Sequence, residues 1–230
     1  MKKHRVAIIT ARGGSKRIPR KNIKEFLGSP IIEYSIKAAL ESGIFDEVMV
    51  STDDEEIAQI AKNAGANIPF MRSKNASDDY ATTTDVIKEV LNQYKETGVE
   101  FDFACCIYPT APFVTRELLL QAQKEVEENE ADSCFPVIPF SFPPQRGMVI
   151  SEGIAGYKYP EYQFSRSQDL DPMYHDSGQF YYFDVNKFNA TGKMLGDCIR
   201  PIIISEMQAQ DIDNEDDWKI AELKYKMLQQ

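Results

Sequence analysis

The chain contains no long apolar run. Across its 230 residues, no stretch approaches the roughly 20 consecutive apolar residues that a membrane-spanning helix requires. The apolar segment between Arg5 and Arg12 is also too short for the core of a secretory signal. We therefore expect a cytoplasmic protein with no membrane partner.

Cysteine is scarce, and its spacing matches no known metal site. The sequence has four cysteines, at positions 105, 106, 134 and 198, and adjacent cysteines rarely pair with each other. This pattern excludes a disulfide framework and a structural zinc site. We expect reduced, mostly buried thiols.

Positive charge is in short supply over the chain as a whole. Lysine and arginine number 26 against 36 acidic residues, a net charge of -10. A general nucleic-acid-binding protein needs a broad basic surface, so we expect no nucleic-acid partner. The first 24 residues differ, because they hold nine Lys or Arg and no acidic residue. A local patch of this kind suits a small anion.

The sequence also lacks both standard phosphate loops. It contains neither G-x-x-x-x-G-K-[ST] nor G-x-G-x-x-G. Instead, Gly13 and Gly14 directly follow an apolar segment, and glycines after a strand let backbone N–H groups approach a phosphate closely. Basic side chains surround them: Arg12, Lys16, Arg17, Arg20 and Lys21. The segment predicts a phosphate site, with a merely solvated basic loop as the alternative.

Apolar periodicity predicts strands that alternate with helices in the first half of the chain. The predicted strands are residues 6–10, 48–50 and 101–108. The predicted helices are residues 29–43, 57–65, 87–98 and 115–126, with Ser29 and Thr115 as caps. This alternation predicts an α/β fold, Rossmann-like and doubly wound, with a mostly parallel sheet. In such sheets ligands bind at the carboxyl ends of the strands, where Gly13 and Gly14 lie.

The segment 136–172 breaks the alternation. It is rich in Pro, Tyr and Phe and has no helical period, which predicts a β-rich or extended insertion at about 136–178 in a single domain spanning 1–230. Strands are predicted again at 179–185 and 199–204. A closing helix is predicted from Trp218, Ile220, Ala221, Leu223 and Met227.

The stretch A-R-G-G-S-K-R-I-P-R-K-N at 11–22 closely resembles the nucleotide-binding signature of the CMP-sialic acid synthetases. These cytidylyltransferases use CTP to activate nine-carbon nonulosonic acids, and the Arg-Ile-Pro-Arg variant looks most like their pseudaminic acid branch. The resemblance covers nearly the full chain. It implies that this loop binds nucleotide through Ala11, Arg12, Gly13, Gly14, Ser15, Lys16, Lys21 and Asn22. It also implies that Arg12 and Lys21 are catalytic, stabilising charge on the α-phosphate and on the leaving pyrophosphate.

A second nucleotide-binding segment of the family resembles residues 76–78. There an arginine and a hydroxyl residue meet the cytosine and the ribose. The resemblance implies these roles for Arg72, Asp78 and Thr83, with Thr82 as the alternative hydroxyl.

Three further stretches resemble the family's sugar-binding segments. Residues 107–112 (IYPTAP) resemble the L-Q-P-T-S-P turn, residues 166–170 (RSQDL) resemble R-x-Q-D-L, and residues 177–181 (SGQFY) stand where sialic acid synthetases have N-G-A-I-Y. The tyrosine and glutamine replacements again indicate the pseudaminic branch. The implied substrate-binding residues are Tyr108, Arg166, Gln168, Ser177 and Gln179, with Arg146 and Arg166 as candidates for the sugar carboxylate.

Asp211-Ile212-Asp213 matches the family's D-I-D motif. Two aspartates at i and i+2 of a strand end project to one side, and Mg²⁺ prefers few carboxylates together with phosphate oxygens. The resemblance therefore implies a magnesium site at Asp211 and Asp213. Without the other motifs, an acidic turn that caps the last helix would explain these residues equally well.

Taken with these motifs, the resemblance implies a homodimer in which the insertion helps complete the sugar site. The implied partners are CTP and a nine-carbon acidic sugar, and the general base stays open between water and His175. Legionaminic acid, N-acetylneuraminic acid and the eight-carbon Kdo are alternative sugars. A non-catalytic nucleotide-binding regulator, or a protein that docks an acidic partner on its basic loop, are alternatives from other classes.

Overall fold

A computed structural model describes residues 2–78 and 80–229 of the chain. The strands within these residues are β1 Arg5–Thr10, β2 Glu25–Phe26, β3 Ser29–Pro30, β4 Glu47–Ser51, β5 Phe103–Ile107, β6 Ser133–Cys134, β7 Pro136–Pro139, β8 Met148–Ser151, β9 Ile154–Tyr157, β10 Tyr174–Asp176, β11 Phe180–Asp184 and β12 Ile202–Ile203. The helices are α1 Ile31–Ser42, α2 Glu55–Asn63, α3 Thr83–Glu96, α4 Arg116–Glu127, α5 Val185–Thr191 and α6 Glu215–Leu228.

The central sheet has the strand order β4-β1-β5-β11-β6. The pairs β1–β4 and β1–β5 are parallel, whereas β11 runs antiparallel to both β5 and β6. The predicted Rossmann-like α/β class is confirmed, with one reversed strand. That strand follows the long insertion rather than a crossover helix, and an antiparallel neighbour needs no crossover.

Helices cover both faces of this sheet, because successive strand residues point to opposite sides. On one face Ala7, Ile9, Val50 and Ile107 pack against α1, α2 and α4. On the other face, residues of the alternate register pack against α3 and α5: Val6, Ile8, Met49, Ala104 and Cys106. A third cluster centred on Phe26 and Trp218 attaches α6 to this body.

The carboxyl ends of β1 and β5 form the point where the strand order reverses. From β1 the chain crosses to β4 on one side and then to β5 on the other. A crevice at such a switch point is the preferred ligand site of an open α/β sheet. The glycine-containing loop leaves β1 here, and residues 108–110 leave β5 here.

The helix ends follow the predicted signals with one exception. Thr115 accepts a hydrogen bond from the N–H of Leu118 and caps α4, and Gly43 ends α1 in the left-handed region at φ 67°. The prediction that Ser29 caps α1 is wrong. Pro30 occupies the cap position and Ser29 belongs to β3, so no side chain caps this helix.

The segment 136–178 is β-rich, as predicted. The hairpin of β8 and β9 is exposed along its length, and β7 pairs with β10 and β12 in a separate three-stranded sheet. The strand predicted at 199–204 is shorter than expected, comprising β12 alone and lying in this smaller sheet. Pro201 lacks the N–H that a longer ladder would require. The insertion as a unit, with its limits at about 136–178, stays a prediction.

All four cysteines are free. Cys105, Cys106 and Cys134 are buried and Cys198 is exposed, which confirms the expectation of reduced, mostly buried thiols. Among the described residues, no helix has both the length and the hydropathy to cross a membrane. The cytoplasmic location stays a prediction.

Candidate functional site

A cavity of about 510 Å³ opens at the carboxyl ends of β1 and β5. We call it the first cavity. Its walls come from four parts of the chain: the loop after β1, the segment around Arg72, the start of α3 and the turn after β5. The lining includes most of the predicted nucleotide-binding residues, namely Arg12, Gly14, Ser15, Lys16, Lys21, Asn22, Arg72, Asp78 and Thr83.

The two adjacent glycines serve different purposes. The N–H of Gly13 donates to Asp53 Oδ1 at 2.8 Å, and a Cβ at Gly13 would lie 2.8 Å from Asp54 Oδ2. Gly13 is therefore required by its packing against the start of α2, and its N–H is already engaged. A Cβ at Gly14 would meet nothing within 4 Å, and Gly14 lines the cavity. The backbone at Gly14 is thus the part that a ligand can approach. Ala11, directly after β1, is fully buried in the hydrophobic core, so it anchors the start of the loop and does not face a ligand.

Arg20 fastens this loop to α2 instead of lining the cavity. Its guanidinium forms ion pairs with Asp54, the cap of α2, and with Glu56. The hydrogen bond from Arg20 lowers the pKa of Asp54 to about 2. Arg20 itself adopts a left-handed backbone conformation at φ 56°. Its predicted contribution to phosphate charge stays a prediction, and in this structure its guanidinium pairs with Asp54 and Glu56 instead.

Lys21 reaches from the first cavity to the distant D-I-D motif. Its Nζ donates to the carbonyl oxygen of Ile212 at 2.7 Å. Burial lowers the pKa of Lys21, and the nearby charges of Asp213 and Asp211 oppose this effect. Arg17, also in the lining, pairs with Asp213 at 2.6 Å. Arg17 was predicted only to contribute to the charge of the loop.

Arg72 is the most enclosed cation of the lining, with 8% of its surface exposed. Its Nε donates to Ser51 Oγ at 3.0 Å and one terminal nitrogen donates to the Ser51 carbonyl at 2.5 Å. Burial lowers its pKa. Asn22 is also buried, and its side-chain Nδ2 donates to the Arg12 carbonyl at 2.8 Å, which fixes the loop where Arg12 enters the cavity.

The start of α3 and the turn after β5 form the part of the first cavity that is lined by hydroxyl side chains. Thr82 caps α3 together with Asp85, so Thr83 is the threonine that lines the cavity. The Asp78 carboxylate accepts hydrogen bonds from the N–H groups of Tyr80 and Ala81 and orders the approach to α3. Tyr108 closes this side; burial raises its pKa, while interactions with Thr83 and Tyr181 oppose the rise.

A second cavity of about 550 Å³ is lined by residues from β7, β10, the turn before β11, the segment 206–211 and α6. The lining includes Asp176, Ser177, Asp211 and Lys224. Ser177 and Gln179 are 95% and 98% buried, yet Ser177 Oγ and Gln179 Oε1 have no hydrogen-bond partner among the described residues. Buried polar atoms of this kind are costly unless a ligand or water satisfies them.

Residues 211–213 lie between the two cavities. Asp211 lines the second cavity, while Lys21 and Arg17 from the first contact Ile212 and Asp213. The expected strand end is wrong here, because the backbone at 211–213 is irregular. The loss of solvent around Asp211 raises its pKa, and repulsion by Asp213 raises it further. The two carboxylates are nonetheless close, as the motif predicted.

Some predicted sugar-site residues lie outside both cavities. Arg166 and Gln168 sit at an exposed 3-10 turn, and Arg166 pairs with Asp169 at 2.7 Å. Arg146 stacks on Phe142 at 5.5 Å in the same insertion. His175, by contrast, lines the second cavity. Of the five predicted substrate residues, Tyr108 lines the first cavity and Ser177 the second, whereas the other three, including the buried Gln179, line neither.

Several lining residues were not among the predicted site residues. Thr10 ends β1 and Thr110 lies in the turn after β5, so the rule that ligands bind at the carboxyl ends of strands could have identified both. Asp176, Glu206 and Lys224 carry no local signal. Lys224 lies on a helix that shows only an apolar period in sequence, and its place in the lining depends on how α6 packs.

A sequence profile of the family described as Cytidylyltransferase matches residues 6–184. Pseudaminic acid cytidylyltransferase from Campylobacter jejuni (strain NCTC 11168) is 41% identical over 223 residues, covering 96% of both chains. CMP-N,N'-diacetyllegionaminic acid synthase from Legionella pneumophila is 30% identical over 225 residues, covering 94% of both chains. Among solved structures, the CMP:2-keto-3-deoxy-manno-octonic acid synthetase complexed with CTP superposes with a TM-score of 0.70 at 18% identity, covering 98% of this chain and 99% of that one.

Proposed function

Because this chain belongs to the cytidylyltransferase family, we propose that it activates pseudaminic acid with CTP, forming the CMP-sugar and pyrophosphate. The chain is a nucleotidyltransferase, and its relatives support CTP-dependent activation of a nonulosonic acid. The choice of pseudaminic acid rests on the 41% identity over nearly the whole chain. The main structural support for this reaction is the first cavity. It lies at the point where the strand order reverses, and the basic loop after β1 lines it.

In this proposal, the first cavity binds CTP. Arg12, Lys16 and Lys21 face the triphosphate, and the backbone at Gly14 offers close approach. Arg72, also in the lining, donates to the base or ribose, while Thr83 supplies a hydroxyl. Arginine suits this role because its planar donors can grip two acceptors at once.

The second cavity binds the sugar acid. Its anomeric oxygen attacks the α-phosphorus of CTP, the bond from that phosphorus to the pyrophosphate oxygen breaks, and the sugar hydroxyl loses its proton to solvent. The unpartnered Ser177 Oγ, which lies in the lining of this cavity, then finds its hydrogen bond in a hydroxyl or amide group of the sugar. Position and charge supply most of the catalysis in such a transfer.

Lys21 and Arg12 stabilise the charge that develops on the α-phosphate and on pyrophosphate. Lys21 is held at the border of the two cavities by its bond to Ile212. A donor fixed in place before the reaction needs no reorganisation as charge develops, and such a contact contributes about 3–4 kcal/mol to transition-state stabilisation.

Asp211 and Asp213 fit a divalent cation, because they are two carboxylates close enough to repel each other: burial raises the pKa of Asp211, and the charge of Asp213 raises it further. Within residues 2–78 and 80–229, no group of three or more acidic, histidine or cysteine side chains could hold a metal by itself. A pair of carboxylates suits Mg²⁺, because this ion takes few carboxylates and completes its coordination shell with phosphate oxygens and water. When bound, the cation would neutralise phosphate charge.

The insertion suits a homodimer. Its exposed hairpin presents Ile150 and Ile154, which are 77% and 76% exposed, and Phe164 on the same segment is 91% exposed. Burying such apolar side chains against a second copy is favourable. Arg146 and Arg166, which lie outside this chain's own cavities, would then reach the sugar site of the partner subunit.

The test is pyrophosphate release from CTP and Mg²⁺ with a panel of pseudaminic, legionaminic and N-acetylneuraminic acids. We expect turnover with pseudaminic acid and at least tenfold lower kcat/KM with the other two. Turnover with another acid would contradict the sugar assignment and keep the reaction. No turnover with any acid, despite CTP binding, would contradict the reaction itself.

A further inference from the structure

Lys224 extends from α6 into the second cavity and meets the backbone that leads to Asp211. Its Nζ lies 2.9 Å from the carbonyl oxygen of Glu206 and 2.9 Å from that of Ala209. Residues 206–208 form a 3-10 turn, so the two carbonyls belong to its start and to the residue just beyond it. An ammonium group has three donors, and two of them are directed at this segment.

A second side chain, that of Gln179, also donates to the backbone of this segment. Gln179 Nε2 donates to the carbonyl oxygen of Gln208 at 2.8 Å, and Gln179 is 98% buried. The side chain of Gln208 in turn accepts hydrogen bonds from Ser205 at the start of the turn. The carbonyls of residues 206, 208 and 209 thus all accept hydrogen bonds from side chains outside this segment, on α6 and on the turn before β11.

The backbone on the far side of Asp211 is held as well. Lys21 donates to the Ile212 carbonyl at 2.7 Å. Ala209 and Ile212 are 97% and 99% buried, so the chain on either side of Asp211 is packed into the body of the protein. Asp211 therefore has little freedom to move relative to Asp213.

We propose that Lys224 is a positioning residue for the carboxylate pair Asp211 and Asp213, acting through the carbonyls of Glu206 and Ala209. This inference rests on the proposed function, which assigns that pair to a divalent cation. Removing the ammonium would leave two carbonyl oxygens facing a cavity that already contains the carboxylates of Asp176, Glu206 and Asp211. The turn would relax away from this concentration of negative charge, and Asp211 would move with it. Groups that orient metal ligands typically affect metal affinity by about 10–100-fold.

The experiment compares Lys224→Met with two other variants of the full chain. Lys224→Arg keeps donors for both carbonyls. Lys219→Met is the matched control, because Lys219 lies on the same helix, is 69% exposed and pairs only across one turn with Asp216. The readouts are direct Mn²⁺ binding in the presence of CTP, by electron paramagnetic resonance, and the Mg²⁺ concentration for half-maximal pyrophosphate release.

We expect Lys224→Met to bind Mn²⁺ about 10–100-fold more weakly, with most of the affinity restored in Lys224→Arg and no change in Lys219→Met. Equal Mn²⁺ binding by wild type and Lys224→Met would overturn the proposal, as would equal weakening by Lys219→Met. Absence of Mn²⁺ binding to the wild type would also overturn it, because no metal pair would then exist to be positioned.

Failure of the proposed function has a different signature, since the wild type would then bind Mn²⁺ and release no pyrophosphate from CTP with any sugar acid. Thermal unfolding is followed in parallel. If Lys224→Met is unfolded at the assay temperature, Lys224→Ala, which also lacks a donor, replaces it under the same criterion.

Discussion

The ammonium group of Lys21 donates a hydrogen bond to the carbonyl oxygen of Ile212, across 191 residues of sequence, at 2.7 Å. This contact joins the basic loop after the first strand to the acidic motif before the last helix. The contact between Lys21 and Ile212 therefore lies where the two cavities meet. In the proposed reaction, this contact would bring the groups that bind phosphate next to the carboxylate pair.

Lys21→Met should reduce kcat for pyrophosphate release by about 10²–10³, because it removes a charged donor held at the reacting phosphate. Lys24→Met is the control, since Lys24 pairs with Glu215 at 2.6 Å and lies over Trp218 without lining the first cavity. Steady-state kinetics of both variants provide the measurement. A similar fall in kcat for both would show that the loss comes from loosening α6.

Gly13→Ala should lower the free energy of unfolding, whereas Gly14→Ala should weaken CTP binding. A Cβ at Gly13 would strike Asp54 and disturb the cap of α2, at a cost of about 1–2 kcal/mol in the free energy of unfolding. Gly14→Ala should leave that free energy unchanged and weaken CTP binding, because the new methyl group faces the cavity. Urea unfolding and isothermal titration with CTP separate the two. Unchanged CTP affinity in Gly14→Ala would place the phosphates elsewhere.

The ion pair between Arg20 and Asp54 should make stability depend on pH in the acid range. The pKa of Asp54 falls from 3.8 in an unstructured chain to about 2 in the folded protein. A lowered carboxyl pKa stabilises the fold above pH 4, and that stabilisation is lost as the pH falls from about 4 through 2. Since Arg20 is 40% exposed, we expect only about 1 kcal/mol. Urea unfolding of wild type and Arg20→Met at pH 6 and pH 2.5 should show a difference at the higher pH that shrinks at the lower.

Subunit mixing tests whether Arg166 acts across a dimer. Lys21→Met and Arg166→Ala should each be nearly inactive alone. Unfolding them together at equal amounts and refolding should restore about a quarter of wild-type activity, because half of the dimers are mixed and each contains one intact site. Mixing Lys21→Met with Arg72→Met is the control and should restore nothing, since both residues serve the same subunit's cavity. No recovery in the first mixture would mean that Arg166 acts within its own subunit or not at all.

Much of the fold could be predicted from periodicity. The parallel strands β1, β4 and β5 and the four helices that flank them were predicted because an apolar face repeats at 2 or about 3.6 residues in each. The reversed direction of β11 could not be predicted in this way. Its apolar run is the same in either direction, and only its pairing with β5 and β6 sets its sense.

Part of the candidate site could be predicted because it depends on local order along the chain. The glycine pair and the nearby basic residues are contiguous in sequence, so their shared location was evident. Arg20 belongs to the same stretch, yet it turns to Asp54 because α2 presents two carboxylates there. Gln179 was expected to bind sugar, which stays a prediction, and the structure shows that its amide nitrogen donates to the carbonyl oxygen of Gln208.

The sequence by itself determined the α/β class, the loop that collects positive charge and the likeness to one enzyme family, because these depend on local order along the chain. The tertiary structure decided which charges meet. Lys21 with Ile212, Lys224 with Ala209 and Arg17 with Asp213 all join segments far apart in sequence. Their contacts exist because burial of the apolar faces of the central sheet and of α6 brings those segments together, and no local pattern encodes the distances that result.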